Sequence, residues 1–488
     1  MKFSQDRIFL LACVLCGLPV MLPFYPAMVD VPQHAAQITA LKALLGGSPW
    51  AFTDMFELRL FTPYWLGYGL VMILSIPFDV VIAIKIIIAS AQCLFVWAAA
   101  RFCIKMKMPA EWRWIFIILP FGFAYQWGFL NFIVAAPFGF IFLSEISDFK
   151  NKDKRDGWVR VALWVHFLFF AHFLIAAFFC AAAIFILAEP WSGIKKWFYK
   201  ILPIFSVLPI TVAWLVIGFN SAPEARGNVM WMVGLNRVIE FLPSLVSAPT
   251  PGIGQLIGLT CLILPFIWGA QPKRSVFSWA PFGLYIIWMM FVPHLLGGNY
   301  FTYQRFGLFG LPLYFLCFEI SNKHPIPSHS ALAGVGLALI ASSIVGWHSV
   351  RALIFEGEAS GYRAVMEKAD PGKRILMFAF KPTSQASSAP LHLHFAGWYQ
   401  AEHGGLAEFN FARFWGLPVK YKIDAPSGIF SGFEWYPANF DWTRNHGELF
   451  DYFLVRHPQD ASEWIKEKSN GAMRPIARNG EWQLYEKK

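Results

Sequence analysis

Asp30, Pro32 and His34, in the run Val29-Asp-Val-Pro-Gln-His-Ala35, follow directly on the first long apolar segment of the chain. A carboxylate and an imidazole at the end of such a segment can accept and return protons, and ionisable groups beside a hydrocarbon layer are costly to desolvate and are usually kept for function. Other polar groups flank later apolar runs: Asp54, Glu57 and Arg59, then His172, then Glu224, Arg226, Arg237 and Glu240, then His294, Asn299, Tyr303 and Arg305. Carboxylates beside arginines suit the transfer of a group away from a phosphate leaving group. The guanidinium neutralises the phosphate, and the carboxylate takes the proton of the attacking hydroxyl.

These residues must be positioned by a chain made mostly of apolar segments. Hydrophobic residues are 57% of the 488 and charged residues only 14%, against about 25% in soluble domains, which predicts a polytopic α-helical membrane protein. Segments long enough to cross a hydrocarbon layer fall at 8–28, 79–103, 114–127, 129–147, 158–173, 174–189, 201–219, 252–270, 276–296, 306–320 and 329–349, about eleven transmembrane helices. Leaving out a crossing at 63–78 puts seventeen basic residues in the inner loops, including Lys152, Lys154 and Lys323, and five in the outer ones. That bias fixes the topology. Residues 30–78 then form a long outer loop, with Ile38–Leu45 and Tyr64–Ile76 lying as interfacial helices. The net charge of +10 is accounted for by this bias and calls for no nucleic-acid partner.

From about Glu356 the composition becomes that of a water-soluble domain, so the chain divides into a transmembrane domain, 1–355, and a C-terminal soluble α/β domain, 356–488. Strands are expected at Lys373–Phe380, Val419–Ile423, Asp451–Arg456 and Glu481–Tyr485, and helices at Leu391–His403 and Asp460–Lys468. Pro249–Gly254 and Pro325–Pro327 read as connectors. All seven cysteines fall in or beside apolar segments and read as packing residues. His166 and His172 are six apart, which is not the spacing of paired ligands on a helix, and the His392-Leu-His394 pair lends a metal site little support.

The chain resembles the GT-C superfamily of integral-membrane glycosyltransferases. The resemblance rests on Asp30 with Pro32 and His34 at the end of the first span, the long first loop with Asp54 and Glu57, the stretch Pro63-Tyr-Trp65, and the segment Tyr303-Gln-Arg-Phe-Gly-Leu-Phe-Gly-Leu-Pro312. It implies a polyprenyl-phosphate-linked sugar donor, a glycan, lipid or protein acceptor, and an active site on the periplasmic face of a bacterial inner membrane. Asp30 is then the catalytic base, Asp54 or Glu57 assists it, and Arg305 holds the donor phosphate. His34, Arg59, His172, Arg226, Arg237, His294 and Tyr303 complete the expected substrate-binding set. The family often carries two acids side by side or one apart, whereas Asp30 is followed by Val31. A divalent metal ion held by Asp30 with Asp54 or Glu57 and a metal-free site are both compatible with that pattern. Two other classes fit the composition: a flippase or transporter of a lipid-linked saccharide, and a membrane scaffold of the cell envelope.

Overall fold

The computed structural model describes residues 2–47, 49–150, 155–189, 191, 193–221, 229–232, 234–246, 252–320, 330–422 and 432–488. Lys152, Lys154, Glu224, Arg226, Pro249, Lys323, the Pro325–Pro327 turn and Ile423 lie outside the described residues. Helices that shape the site are α1 (Lys2–Leu15), α2 (Val31–Leu44), α3 (Trp65–Leu74), α4 (Val80–Lys105), α5 (Leu130–Phe149), α6 (Arg155–Ala171), α7 (Phe173–Ile186), α8 (Leu235–Leu245), α9 (Val276–Phe291), α10 (Ser330–Met366) and α11 (Ala396–His403). Among the described residues, four helical stretches are long and apolar enough to cross a membrane: Val80–Lys105, Leu130–Phe149, Ile194–Gly218 and Gly334–Met366. Shorter apolar helices accompany them at Trp65–Leu74, Gly157–Ala171, Phe173–Ile186, Ile253–Ile267 and Val276–Phe291.

Several expected spans are built differently, and proline and glycine account for much of the difference. The segment 114–127 is a 3-10 helix, Ala110–Phe121, containing Pro120, followed by a five-residue α-helix, Phe123–Trp127. Pro120 removes a donor from the ladder, and Gly128, at φ 72°, ends the second piece. The segment 306–320 likewise divides into a 3-10 helix, Gln304–Phe309, and a helix, Gly310–Phe315. The expected pair 158–173 and 174–189 does form two helices, α6 and α7, separated by the extended backbone of His172.

The largest correction concerns the first loop. Ile38–Leu45 was expected to lie on the lipid surface, but α2 begins at Val31 and buries eleven of its fourteen residues, Gln33, His34 and Gln37 among them. Its cover comes from the C-terminal region, through α11. Buried glutamines in a helix need partners at fixed positions, and here they find them far along the chain. Gln33 takes the Phe409 carbonyl at 2.8 Å and accepts from the Phe411 N–H at 3.1 Å. Gln37 donates to Asn410 at 2.6 Å, and Gln400 donates to the Ala36 carbonyl at 3.0 Å.

Strands β1 (Phe56–Leu58), β2 (Arg374–Ala379), β3 (Leu406–Ala407), β4 (Val419–Tyr421), β5 (Tyr452–Arg456), β6 (Met473–Asn479) and β7 (Trp482–Lys487) complete the frame. The main sheet has the order β6-β7-β5-β2-β3, with β2 parallel to both β5 and β3. β4 does not join it. It pairs antiparallel with β1 of the first loop, Phe56 opposite Tyr421 and Leu58 opposite Val419. After Arg374 the run Ile-Leu-Met-Phe-Ala is apolar throughout because β2 is buried on both faces. Ile375, Met377 and Ala379 join the core shared with the helical bundle, while Leu376 and Phe378 join a second core with Phe440, Phe453 and Ile465. The expected helix at Leu391–His403 is shortened to α11 because His394 takes a left-handed backbone conformation, φ 66°. α10 runs unbroken through residue 356, so sheet and bundle are joined by helix as well as by shared core.

Candidate active site

Asp30 is the residue preceding α2, where an aspartate commonly caps the helix with its side chain. It makes no such bond. Its backbone N–H donates to the Trp127 carbonyl at 2.9 Å and Val29 donates to Gln126 at 3.1 Å, so the entry to α2 is tied to the short helix ending at Trp127. Gly128 permits this approach: a Cβ there would stand 2.8 Å from Val31 Cγ2 and 2.9 Å from Met28 Cβ. The Asp30 carboxylate turns instead to His394, with Oδ1 3.7 Å from Nε2.

His394 is in turn held by Glu434. One carboxylate oxygen accepts from the His394 backbone N–H at 3.2 Å, and the other lies 2.6 Å from Nδ1. This two-point grip maintains a left-handed backbone that a histidine seldom adopts, and it aims Nε2 at Asp30. Phe409 stacks on the imidazole at 4.9 Å, and Phe411 and Trp435 meet its edges. All three ionisable groups are buried. Burial pushes the Asp30 carboxyl up to about 7, against the opposing pull of His394 and Arg305 and with a further push from Glu434. Burial alone would lower His394, but Glu434 and Asp30 outweigh it and raise the imidazole above its ordinary value. The pair therefore favours an imidazolium beside a carboxyl that titrates near neutrality.

Beside this group lies a cavity of about 520 Å³, its walls formed in part by Phe95, Trp127, Phe132 and Phe301, with Gln92, Glu240, Ser244, Tyr303, Gln304 and Arg305 supplying polar groups. Trp127 is the shared wall, since its backbone binds Asp30 and its ring stands between Phe301 at 4.3 Å and Trp435 at 6.4 Å. Arg305 lines the cavity and acts electrostatically on Asp30. Its Nε and Nη2 donate to the carbonyls of Phe301 (3.1 Å) and Tyr300 (2.6 Å), and the guanidinium lies over Phe129 at 4.1 Å. Carbonyl bonds and an aromatic face fix the cation without neutralising it.

The other expected residues divide between this neighbourhood and elsewhere. His34 lies within it, Nδ1 2.8 Å from the Tyr68 hydroxyl; burial and then His394 push it down to about 3, so it is a neutral imidazole. His172 packs against Tyr64 and Phe132 and feels Arg305. His294 lines the cavity and meets Gln304 at 2.7 Å, and the Tyr303 hydroxyl donates to Glu240 at 3.2 Å. Arg237 is spent on three carbonyls, Met232, Met289 and Val292, at 2.6, 3.0 and 2.7 Å, which makes it a clamp between α8 and α9. Arg59 binds the Trp415 carbonyl. Arg226 lies outside the described residues.

Asp54 and Glu57 are not drawn to Asp30. Asp54 is exposed, and Glu57, on the β1–β4 ladder, pairs with Lys420 at 2.6 Å. The reason is the ladder itself, which commits this part of the first loop to the C-terminal region. Among the described residues, no three His, Cys, Asp or Glu side chains form a set able to hold a metal ion. With Asp30 facing an imidazole drawn toward its charged form, the donor set does not fit a divalent cation, which requires several hard oxygens.

His394 and Glu434 were missed by sequence reasoning. The His392-Leu-His394 pair was visible, but its two members part company: His392 binds Glu358 at 2.8 Å in a separate ionic cluster with Arg456. Glu434 carried no signal at all.

The fold is similar to that in the crystal structure of ArnT from Cupriavidus metallidurans bound to undecaprenyl phosphate, with a TM-score of 0.51 over 99% of this chain and 98% of that one, at 12% sequence identity. No protein-family model and no curated protein matches the chain.

Proposed function

We propose that this chain is an integral-membrane glycosyltransferase that moves a sugar from a polyprenyl-phosphate carrier to an acceptor at the periplasmic face of a bacterial inner membrane. The observation that carries the reading is a buried Asp30 carboxyl near neutrality, under the electrostatic pull of an Arg305 guanidinium that lines a largely apolar cavity beside it. The fold shared with ArnT, whose crystal structure holds undecaprenyl phosphate, supports the choice of carrier.

In this reading the donor phosphate lies against Arg305, and the sugar lies along the aromatic wall at Trp127 and Phe301. Asp30 as carboxylate takes the proton of the acceptor hydroxyl while the oxygen bonds to the anomeric carbon. The bond from that carbon to the phosphate oxygen breaks, and its electron pair leaves with the polyprenyl phosphate. A base with a pKa near the working pH is well matched to this task. The low-dielectric wall strengthens the effect of Arg305 on the charge that develops on the leaving group.

Replacing Asp30 by Asn keeps its size and removes the base. Transfer, read as release of polyprenyl phosphate from a lipid-linked sugar in liposomes, is expected to fall by about 10²–10⁴-fold with membrane abundance unchanged. Full activity of D30N defeats the assignment. Movement of the carrier across the bilayer without bond cleavage identifies a flippase instead.

A further inference from the structure

We propose that His394, gripped by Glu434, is a positioning residue that keeps Asp30 ionised inside its buried site, so that the C-terminal region supplies an essential part of the base. The inference rests on the transfer reading, in which Asp30 takes the acceptor proton.

The geometry carries the argument. A carboxylate removed from water reverts to the neutral acid unless a cation or several donors face it. Asp30 lacks the helix-capping bond that would serve, and its ion-pair partner is the His394 Nε2 at 3.7 Å. That imidazole is useful only if it is itself protonated, and the Glu434 carboxylate at 2.6 Å from Nδ1 supplies the reason for it to be so. The arrangement is carboxylate, imidazolium, carboxylate, contributed by the start of α2, the turn before α11 and the segment at Glu434. Arg305 adds positive charge at Asp30, Tyr64 and Tyr68 are neutral phenols pushed upward by burial, and His34 is neutral. Glu408, next to Phe409, is pushed well above the carboxylate range, first by burial and then by Glu434, so it adds no competing anion.

The alternative is that His394 merely fills an aromatic pocket formed by Phe409, Phe411 and Trp435. The two accounts differ in what charge does. A packing role is satisfied by any side chain of similar shape, whereas the electrostatic role requires a cation facing Asp30.

The test uses the full chain in liposomes, with two substitutions, His394→Gln and His394→Lys, and two readouts. The first is the pH dependence of Asp30 labelling by a lipid-soluble carbodiimide, which reacts with protonated carboxyls, measured by peptide mass spectrometry. The second is the pH profile of polyprenyl phosphate release. In the parent protein the labelling midpoint is expected near 7. H394Q is expected to raise it by about one to three pH units, and H394K to bring it back toward the parent value. The acid limb of the transfer profile should follow, with about tenfold or greater loss at neutral pH in H394Q and recovery in alkaline solution. A labelling midpoint unmoved in H394Q, or moved equally in H394K, overturns the inference while transfer by the parent protein leaves the sugar-transfer reading standing. Failure of the parent protein to transfer sugar overturns that reading and, with it, any role of His394 in a base. If H394Q does not accumulate, H394K alone decides: a midpoint within about one pH unit of the parent supports the electrostatic role, and a larger rise refutes it.

Discussion

Replacing Gly397 by Ala tests whether the C-terminal region holds the site together. Gly397 lies in the first turn of α11, and its N–H donates to the His394 carbonyl at 2.8 Å, so the two residues move as one unit. A Cβ at this position would stand 2.6 Å from the Pro32 oxygen, 2.7 Å from the Pro32 carbonyl carbon and 3.1 Å from the Gln33 nitrogen. All three are backbone atoms of α2, which no rotamer change can move aside. Ordinary contact begins at 3.4 Å, so α11 must withdraw from α2 by about 0.8 Å. Strain of this kind costs about 1–3 kcal/mol. It also carries His394 from 3.7 Å to about 4.5 Å from Asp30, weakening their attraction, and a misplacement of about 1 Å can cost about 10²-fold in rate. The expected outcome is a lower thermal midpoint in detergent, a ten- to hundredfold loss of transfer at neutral pH, and an acid limb displaced upward. Gly283→Ala, in α9, is the control. Nothing lies within 4 Å of its Cβ, so it should be neutral or slightly stabilising. Parent-like rate, pH profile and melting in G397A would refute the claim that the contact of α2 with α11 sets the distance from His394 to Asp30.

Other expectations follow from the same geometry. Because folding raises the Asp30 pKa from 3.8 to about 7, the folded chain holds that proton more tightly than the unfolded one. The resulting stability, about 4 kcal/mol at most, is fully present below about pH 4 and is lost as pH rises through about 7. D30N should therefore melt at a higher temperature than the parent protein at about pH 8, with the gap closing toward about pH 5. A parent protein that melts alike at both pH values, with D30N no higher at the upper one, contradicts the buried-carboxylate account. Asp54→Asn and Glu57→Gln should each leave transfer within about twofold of the parent, since Asp54 is exposed and a partly exposed ion pair such as Glu57 with Lys420 contributes about 0–1 kcal/mol. A hundredfold loss in either variant, with the protein still folded, would return these carboxylates to the active site.

The apolar runs, the position of Asp30 after the first of them and the strands at Arg374–Ala379, Tyr452–Arg456 and Trp482–Lys487 were legible because each is written in neighbouring residues: composition, alternation and the ends of runs. Arg305 stood out for the same reason, as a cation opening an apolar segment. Local pattern was less informative where a backbone break fell inside an expected span, within 114–127 after Pro120 and within 306–320 at Gly310, and the expected single helices became shorter pieces.

The sequence by itself determined an apolar helical chain with a polar C-terminal region and a carboxylate beside its first apolar run. Only the tertiary structure decided that α2 is buried under α11, that Glu57 belongs to a ladder with Lys420, and that His394 and Glu434 face Asp30. The physical reason is that burial and charge pairing depend on distances in space. A residue such as Glu434 acquires its role from what folds against it, and nothing in its own neighbourhood along the chain records that.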